Sequence, residues 1–142
     1  MIERNGIENC EVLAQAIADK VGTMTLYAES TESSATPSLI LTDSGQQFDV
    51  LTTTLDVFAA THPLPTMVKL DVEGAELMVL EAAENLLAHD AAPTWLIEIH
   101  TPKNDHEVKS LLANHNYEWH DVPSPRRRED GYPCHILAWH KK

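Results

Sequence analysis

The sequence predicts one α/β domain with a largely parallel sheet. Two short apolar runs, TMVKLD (66–71) and TWLIEI (94–99), have the composition of buried parallel strands. Between them, residues 74–88 carry apolar side chains at the three- and four-residue spacing of a helix. From residue 65 onward the predicted order is strand, helix, strand, helix, strand, strand, which is typical of an α/β domain that binds ligands at the carboxyl ends of its strands.

The first half of the chain is predicted to be mostly strand. Its three predicted strands cover residues 10–18, 22–30 and 48–55. The second alternates Thr, Leu and Tyr, and the third is rich in β-branched residues, as strands commonly are. The Ser/Thr/Pro-rich stretch 31–38 is predicted to be a loop. A short helix over 56–62 should end at Pro63, which cannot continue it.

The last third of the chain is predicted to add one helix and two closing strands. Residues 105–115 place Val108, Leu111 and Leu112 on one helical face. YEWHDV (117–122) and CHILAWH (134–140) are predicted to pair as closing antiparallel strands.

Composition and charge narrow the class of protein. At 142 residues the chain suits one hydrophobic core, and a net charge of −12 disfavours nucleic acid and anionic lipid as partners. The only basic run, Arg126–Arg128, is followed by acidic residues and is predicted to be a solvated loop. Two cysteines, no apolar leader and no 18-residue apolar run together predict a cytoplasmic protein with reduced thiols.

Acidic residues and one histidine follow the two buried strands. Asp71 and Glu73 end the first strand, and Glu98 and His100 end the second. Alternation along each strand gives the two members of each pair a common orientation, so neighbouring strands would bring them together at one rim. In this negative field His100 should favour its protonated form and could hold a substrate or serve as a general base. The same cluster could instead hold a divalent cation.

Structural roles compete with these functional ones. Acidic residues are favoured at helix starts, and this interpretation is preferred for Glu76 and left open for Glu73. Asp71 and Glu98 lie at buried strand ends, where an unmatched carboxylate is costly, so function is preferred for them. His100 precedes Thr101 and Pro102, a predicted turn, and an ordinary surface histidine stays equally open.

The central block resembles a known family. MVKLDVEGAELMVLEAAENLL followed by PTWLIEIH looks like the signature of the FkbM family of S-adenosylmethionine-dependent methyltransferases, a K-x-D-x-E-G-x-E block and then a strand ending in E-x-H. Upstream, NGIENCEVLAQAIADKVGTMTLY and TTTLDVF are similar to other segments of the family. LLANHNYEWHDV and HILAWH resemble its closing helix and strands, so the resemblance covers essentially residues 1–142.

The resemblance implies a Rossmann-like methyltransferase fold and methyl transfer from S-adenosylmethionine to a hydroxyl of a sugar or small natural product. It implies that Ala16 and Asp19 border the adenine and that Asp71 and Glu73 line the methionine end or the acceptor side, with a divalent cation as a further option. It also implies that Glu98 and His100 face the acceptor, with His100 as base or as the residue that orients the hydroxyl.

The sequence contains no G-x-G-x-x-G motif, and its glycines do not cluster. The family begins with a strand and an acidic, glycine-rich cofactor loop, which this chain is expected to lack. We therefore expect an N-terminally truncated, partial domain whose segments 10–18 and 66–71 are exposed sheet edges. Two other hypotheses stay open, a metal-dependent hydrolase built on the Asp/Glu/His cluster and a catalytically inactive methyltransferase-like module.

Overall fold

A computed structural model describes residues 5–28, 46–123 and 129–141. Its strands are β1 Ala16–Ile17, β2 Gly22–Ala28, β3 Gln46–Thr53, β4 Met67–Leu70, β5 Thr94–Ile99, β6 Tyr117–Val122 and β7 Cys134–His140. Its helices are α1 Leu55–Thr61, α2 Glu76–Glu81, α3 Glu84–Leu87 and α4 Pro102–Asn114. The predicted loops at 31–38 and Arg126–Arg128 lie outside the described residues.

Within the described residues the strands form two mixed sheets, in the orders β1-β3-β2 and β4-β5-β7-β6. The α/β class is confirmed, but the prediction of one mostly parallel sheet is wrong. Only β1 with β3 and β4 with β5 are parallel there, whereas β2–β3, β5–β7 and β6–β7 are antiparallel. The reason is that β2 and β3 pair directly with each other, and β7 inserts between β5 and β6. The closing antiparallel strands are confirmed.

The strand predicted over 10–18 is much shorter than expected. Only Ala16 and Ile17 pair with a neighbouring strand, opposite Thr52 and Thr53 of β3. Residues 10–15 are exposed and have no ladder partner among the described strands. Alanine-rich sequence has weak strand preference, so the segment stays extended only where a partner and burial hold it. As predicted, β1 and β4 are edge strands in the described part of the chain.

The single helix predicted over 74–88 is two helices, α2 and α3. The Asp56 carboxylate accepts hydrogen bonds from the backbone N–H groups of Asn85 and Leu86, at 2.9 and 2.8 Å. In a continuous helix these N–H groups would bond carbonyls four residues earlier. Because Asp56 takes them instead, the helix breaks at Ala82 and Ala83 and starts again at Glu84.

Helix α4 begins three residues before its predicted start, at Pro102. The Thr101 hydroxyl accepts a hydrogen bond from the Asn104 N–H at 3.2 Å, and proline occupies the first helical position. This is a favourable N-terminal cap rather than the predicted turn. The cap places Asn104 in the first turn of α4, where its side chain reaches Glu76.

The hydrophobic core lies between the four-stranded sheet and the helices. One face of β5 and β7 contributes Trp95, Ile97, Ile99, Ile136 and Ala138. Helices α2, α3 and α4 cover that face with Val79, Leu80, Leu86, Leu87, Val108 and Leu112. The opposite face carries half-buried residues, including Glu98 and His135.

Two sequence-level expectations concern the chain as a whole. No disulfide joins Cys10, which is exposed, to Cys134, which is buried, in agreement with the prediction of reduced thiols. Among the helices the structure describes, none has the length and apolar character needed to cross a bilayer.

Candidate active site

The candidate site lies where the parallel strands β4 and β5 end. After β4 the backbone turns sharply, with Glu73 at φ 49° and Gly74 at φ 100°. Left-handed backbone is costly for a residue with a side chain, so the fold holds Glu73 against its local preference. The turn brings Glu73 beside His100, which immediately follows β5.

Glu76 forms the buried floor of the site. Its side chain is fully buried, and its Oε1 accepts hydrogen bonds from the Gly74 N–H at 2.7 Å and from His100 Nδ1 at 2.8 Å. Burial alone would raise the pKa of Glu76, but the hydrogen bonds from His100, Gly74 and Asn104 outweigh it and lower the pKa below its usual value. Glu76 is therefore a buried, ionised partner of His100.

Asn104 completes the coordination of that buried carboxylate. Its side-chain amide donates to Glu76 Oε2 at 2.7 Å and to the Gly74 carbonyl at 2.8 Å. Both amide hydrogens are thereby used, and both oxygens of Glu76 are satisfied. The result is a rigid support in which α4 holds both the turn and Glu76.

His100 is held between carboxylates at both ring nitrogens. Nδ1 faces Glu76, and Nε2 lies 3.2 Å from Glu73 Oε2 and 3.9 Å from Glu98 Oε1. The hydrogen bond to Glu76 raises the pKa of His100 above its ordinary value, and the neighbouring carboxylates add to this against the effect of burial. The predicted preference for the protonated form is confirmed. The side chain is only 13% exposed, so His100 is not an ordinary surface residue.

Asp71 lies at the outer edge of the cluster. Lys69 donates to Asp71 Oδ2 at 2.6 Å. Burial alone would raise the pKa of Asp71. The hydrogen bond and charge of Lys69, together with the charge of His100, outweigh burial and lower the pKa below its usual value. Asp71 thus stays ionised at neutral pH and adds a negative charge to the rim.

Three of the predicted residues could together hold a cation. One ligand atom each from Asp71, Glu73 and His100 lies within 4.8 Å of the other two. A histidine must be neutral to bind a metal, and the raised pKa of His100 makes a proton the competitor of any cation. The acidic rim can therefore accept positive charge, but a metal would have to displace a well-held proton.

Ala16 and Asp19, predicted to border an adenine, lie in a different part of the fold. Ala16 is in β1, and Asp19 is exposed just beyond it. Among the described residues no hydrogen bond or ion pair joins either of them to His100 or its carboxylate partners. The structure thus brings together Asp71, Glu73, Glu98 and His100, and places Ala16 and Asp19 on the other sheet.

Comparison with known proteins decides the class. A family model described as the Methyltransferase FkbM domain matches residues 3–119, well over half of the chain. The chain belongs to the FkbM methyltransferase family. No curated protein and no solved structure matches it.

FkbM methyltransferases use S-adenosylmethionine, which carries a positive sulfur, an ammonium group and ribose hydroxyls. The rim of this FkbM domain suits such groups. Its carboxylates, Asp71, Glu73 and Glu98, accept hydrogen bonds and attract positive charge. Its lowered pKa keeps Asp71 ionised at neutral pH.

Two residues of the FkbM site escaped prediction from sequence. Asn104 lies between the turn predicted at Thr101–Pro102 and the helix predicted from residue 105, and only recognition of Thr101–Pro102 as a helix start would have placed it near the site. His135, whose Nε2 lies 3.0 Å from Glu98 Oε2, was not among the predicted site residues. Its alternation in a closing strand was the available signal, but the pairing of that strand with β5 was not predicted.

Proposed function

We propose that this FkbM domain transfers the methyl group of S-adenosylmethionine to a hydroxyl of a sugar or other small molecule, with His100 as general base. The observation that carries the proposal is the Glu76–His100 pair. A fully buried carboxylate bonds Nδ1 at 2.8 Å, which leaves Nε2 directed toward the rim formed by Glu73 and Glu98. A base oriented by a buried carboxylate is a recurrent arrangement for removing a proton from a hydroxyl.

The residues have separate roles in this proposal. Neutral His100 takes the acceptor's hydroxyl proton at Nε2 as the oxygen–methyl bond forms. Glu76 holds the ring in place and stabilises the imidazolium that results. Glu73 and Glu98 accept hydrogen bonds from the acceptor or the cofactor. S-adenosylmethionine, when bound, supplies an electrophilic methyl group on a positively charged sulfur. Asp71 would help to hold its cationic end, and Ala16 and Asp19 would border its adenine.

The raised pKa of His100 sets the expected pH dependence. Its neutral form is the base, so methyl transfer should increase as pH rises through a value above the ordinary 6.5. The Glu76→Gln variant removes the negative charge that raises this pKa. The rise in activity should therefore occur at a lower pH. The maximal activity should be lower as well, because Glu76 no longer stabilises the imidazolium that forms.

The test is methyl transfer by the purified chain. The protein is incubated with S-adenosylmethionine and a panel of methyl glycosides and small alcohols, and S-adenosylhomocysteine is quantified. We expect His100→Ala to lower kcat by about 100-fold or more, the range of general-base contributions, and Asp71→Ala to raise KM for the cofactor. His106→Ala, at an exposed position of α4, is the matched control and should retain activity.

Normal methyl transfer by both His100→Ala and Asp71→Ala would contradict the site assignment. Binding of S-adenosylmethionine, measured by calorimetry, and activity assays together separate the remaining hypotheses. An inactive methyltransferase-like module would transfer no methyl group to any acceptor. A hydrolase would instead cleave ester or phosphate substrates only after addition of Mg²⁺, Mn²⁺ or Zn²⁺.

A further inference from the structure

Glu98 lies between two histidines, His135 of β7 and His100 just after β5. Strands β5 and β7 are antiparallel neighbours, and Glu98 lies directly opposite His135. Residues opposite each other in such a pair have close side chains on one face. His135 Nε2 lies 3.0 Å from Glu98 Oε2, with the two side chains 19% and 12% exposed. The contact is a partly buried hydrogen bond to a carboxylate, which is stronger than one between neutral groups.

The other oxygen of Glu98 remains available to a ligand. Glu98 Oε1 lies 3.9 Å from His100 Nε2, which is too far for a direct hydrogen bond. A hydroxyl oxygen placed between the two atoms can lie about 2.8 Å from each of them. Such a hydroxyl has one proton, which it can share between Glu98 Oε1 and His100 Nε2 in a three-centre hydrogen bond before His100 takes it. This geometry depends on keeping Glu98 away from His100.

The hydrogen bond from His135 holds the Glu98 side chain away from His100. Without its hydrogen bond, the Glu98 side chain could rotate toward His100 and close the 3.9 Å gap. The backbone ladder already joins β5 to β7, so the side-chain contact is not needed to pair the strands. His135 Nδ1 is buried and has no hydrogen-bond partner among the described residues, which is a cost to folding.

We propose that His135 is a positioning residue that holds Glu98 at the acceptor-hydroxyl position of this methyltransferase. The inference rests on the proposed function, because Glu98 needs a fixed place only if a hydroxyl binds between it and His100. His135 acts through Glu98 and touches no reacting atom.

The kinetic test compares two substitutions at one position. His135→Leu removes the donor, whereas His135→Gln keeps an N–H group at a similar reach. We expect His135→Leu to lower kcat for a hydroxyl acceptor by about 10- to 100-fold, the scale of a misplaced group, with little change in KM for S-adenosylmethionine. His135→Gln should restore most of kcat. His120→Leu, at an exposed position of the neighbouring strand β6, is the control and should match the wild type.

The pH profile provides a readout that a merely structural role would not move. His100 is faced by Asp71 and Glu73 after β4, by Glu76 of α2 and by Glu98 of β5. In His135→Leu the freed Glu98 can approach Nε2 and stabilise the imidazolium further. The alkaline rise in activity should therefore move to higher pH, and it should return toward the wild-type position in His135→Gln.

A spectroscopic arm tests the contact independently of activity. Imidazole ¹H–¹⁵N spectra of the wild-type chain should show a protected Nε2–H signal, assigned by its loss in His135→Gln. If the wild type is active and His135→Leu keeps its kcat and pH profile, the positioning role is wrong while the proposed function stands. If the wild type methylates no hydroxyl, the proposed function fails, and a missing imidazole signal would also overturn the His135–Glu98 contact.

Discussion

Glu73 occupies a backbone conformation that few residues with side chains adopt. Its φ of 49° directs the chain from β4 into the turn before α2 and places its carboxylate 3.2 Å from His100 Nε2. Glycine would adopt this conformation without steric cost. We therefore expect the carboxylate to be needed at this point of the rim.

Substitution of Glu73 separates backbone strain from chemistry. Glu73→Ala and Glu73→Gly both remove the carboxylate. The left-handed backbone conformation is strained for alanine but not for glycine. We expect the glycine variant to be more stable than the alanine variant by about 1 kcal/mol, measured as the free energy of unfolding in urea. Both variants should lose methyl transfer to a similar extent. Equal stability of the two variants would show that the backbone at residue 73 is not strained.

At the scale of elements, the division between α2 and α3 depends on a distant side chain. Asp56 in the first turn of α1 accepts hydrogen bonds from the Asn85 N–H, the Asn85 side-chain amide and the Leu86 N–H, all at 2.8 to 2.9 Å. It acts as an N-terminal cap supplied from another helix. The cap docks α1 against α3 and thereby joins the region of the three-stranded sheet to the core.

Removing this cap should destabilise the fold without altering the site. Asp56→Ala should lower the free energy of unfolding by about 1 to 2 kcal/mol, the usual effect of losing an N-cap side chain. Asp56→Asn keeps one acceptor oxygen and should lose less. The exposed Asp90→Ala is the control. Urea denaturation checks the series, and an Asp56→Ala protein as stable as the wild type would argue against the cap.

Strand boundaries show where sequence prediction works at this scale. The bounds of β5, β6 and β7 are as predicted because each has enough apolar or alternating residues to identify it locally. The strand at 10–18 was mispredicted because its length depends on pairing with β3. The helix at 74–88 was mispredicted because capping by Asp56 divides it in two. Both causes lie some 30 or more residues away along the chain.

At the scale of the whole molecule, the Glu76–His100 pair links stability to pH. The folded pKa of His100 is raised, so its contribution is complete below about 6.5 and is lost as pH rises through the folded value. The folded pKa of Glu76 is lowered, so its contribution is complete above 4.5 and is lost as pH falls through the folded value. The pair therefore stabilises the fold most between pH 4.5 and 6.5.

Denaturation in urea across pH 4 to 9 tests this window. The wild type should lose stability above pH 6.5, whereas His100→Gln should show a much smaller loss over the same range. His106→Gln, at an exposed position, should keep the wild-type profile. An unchanged alkaline slope in His100→Gln would mean that another group controls it.

The sequence by itself determined the α/β class, the family and the convergence of Asp71, Glu73, Glu98 and His100 at the strand ends. These follow from apolar periodicity and from short motifs, which are local properties of the chain. Only the tertiary structure decided the antiparallel pairing of β2 with β3 and of β5 with β7, the break between α2 and α3, and the roles of Glu76, Asn104 and His135. Each of those depends on burial or on a partner distant in the chain. Glu76 shows the difference most clearly: its sequence position suits a helix start, but complete burial against His100 makes it the support of the proposed base.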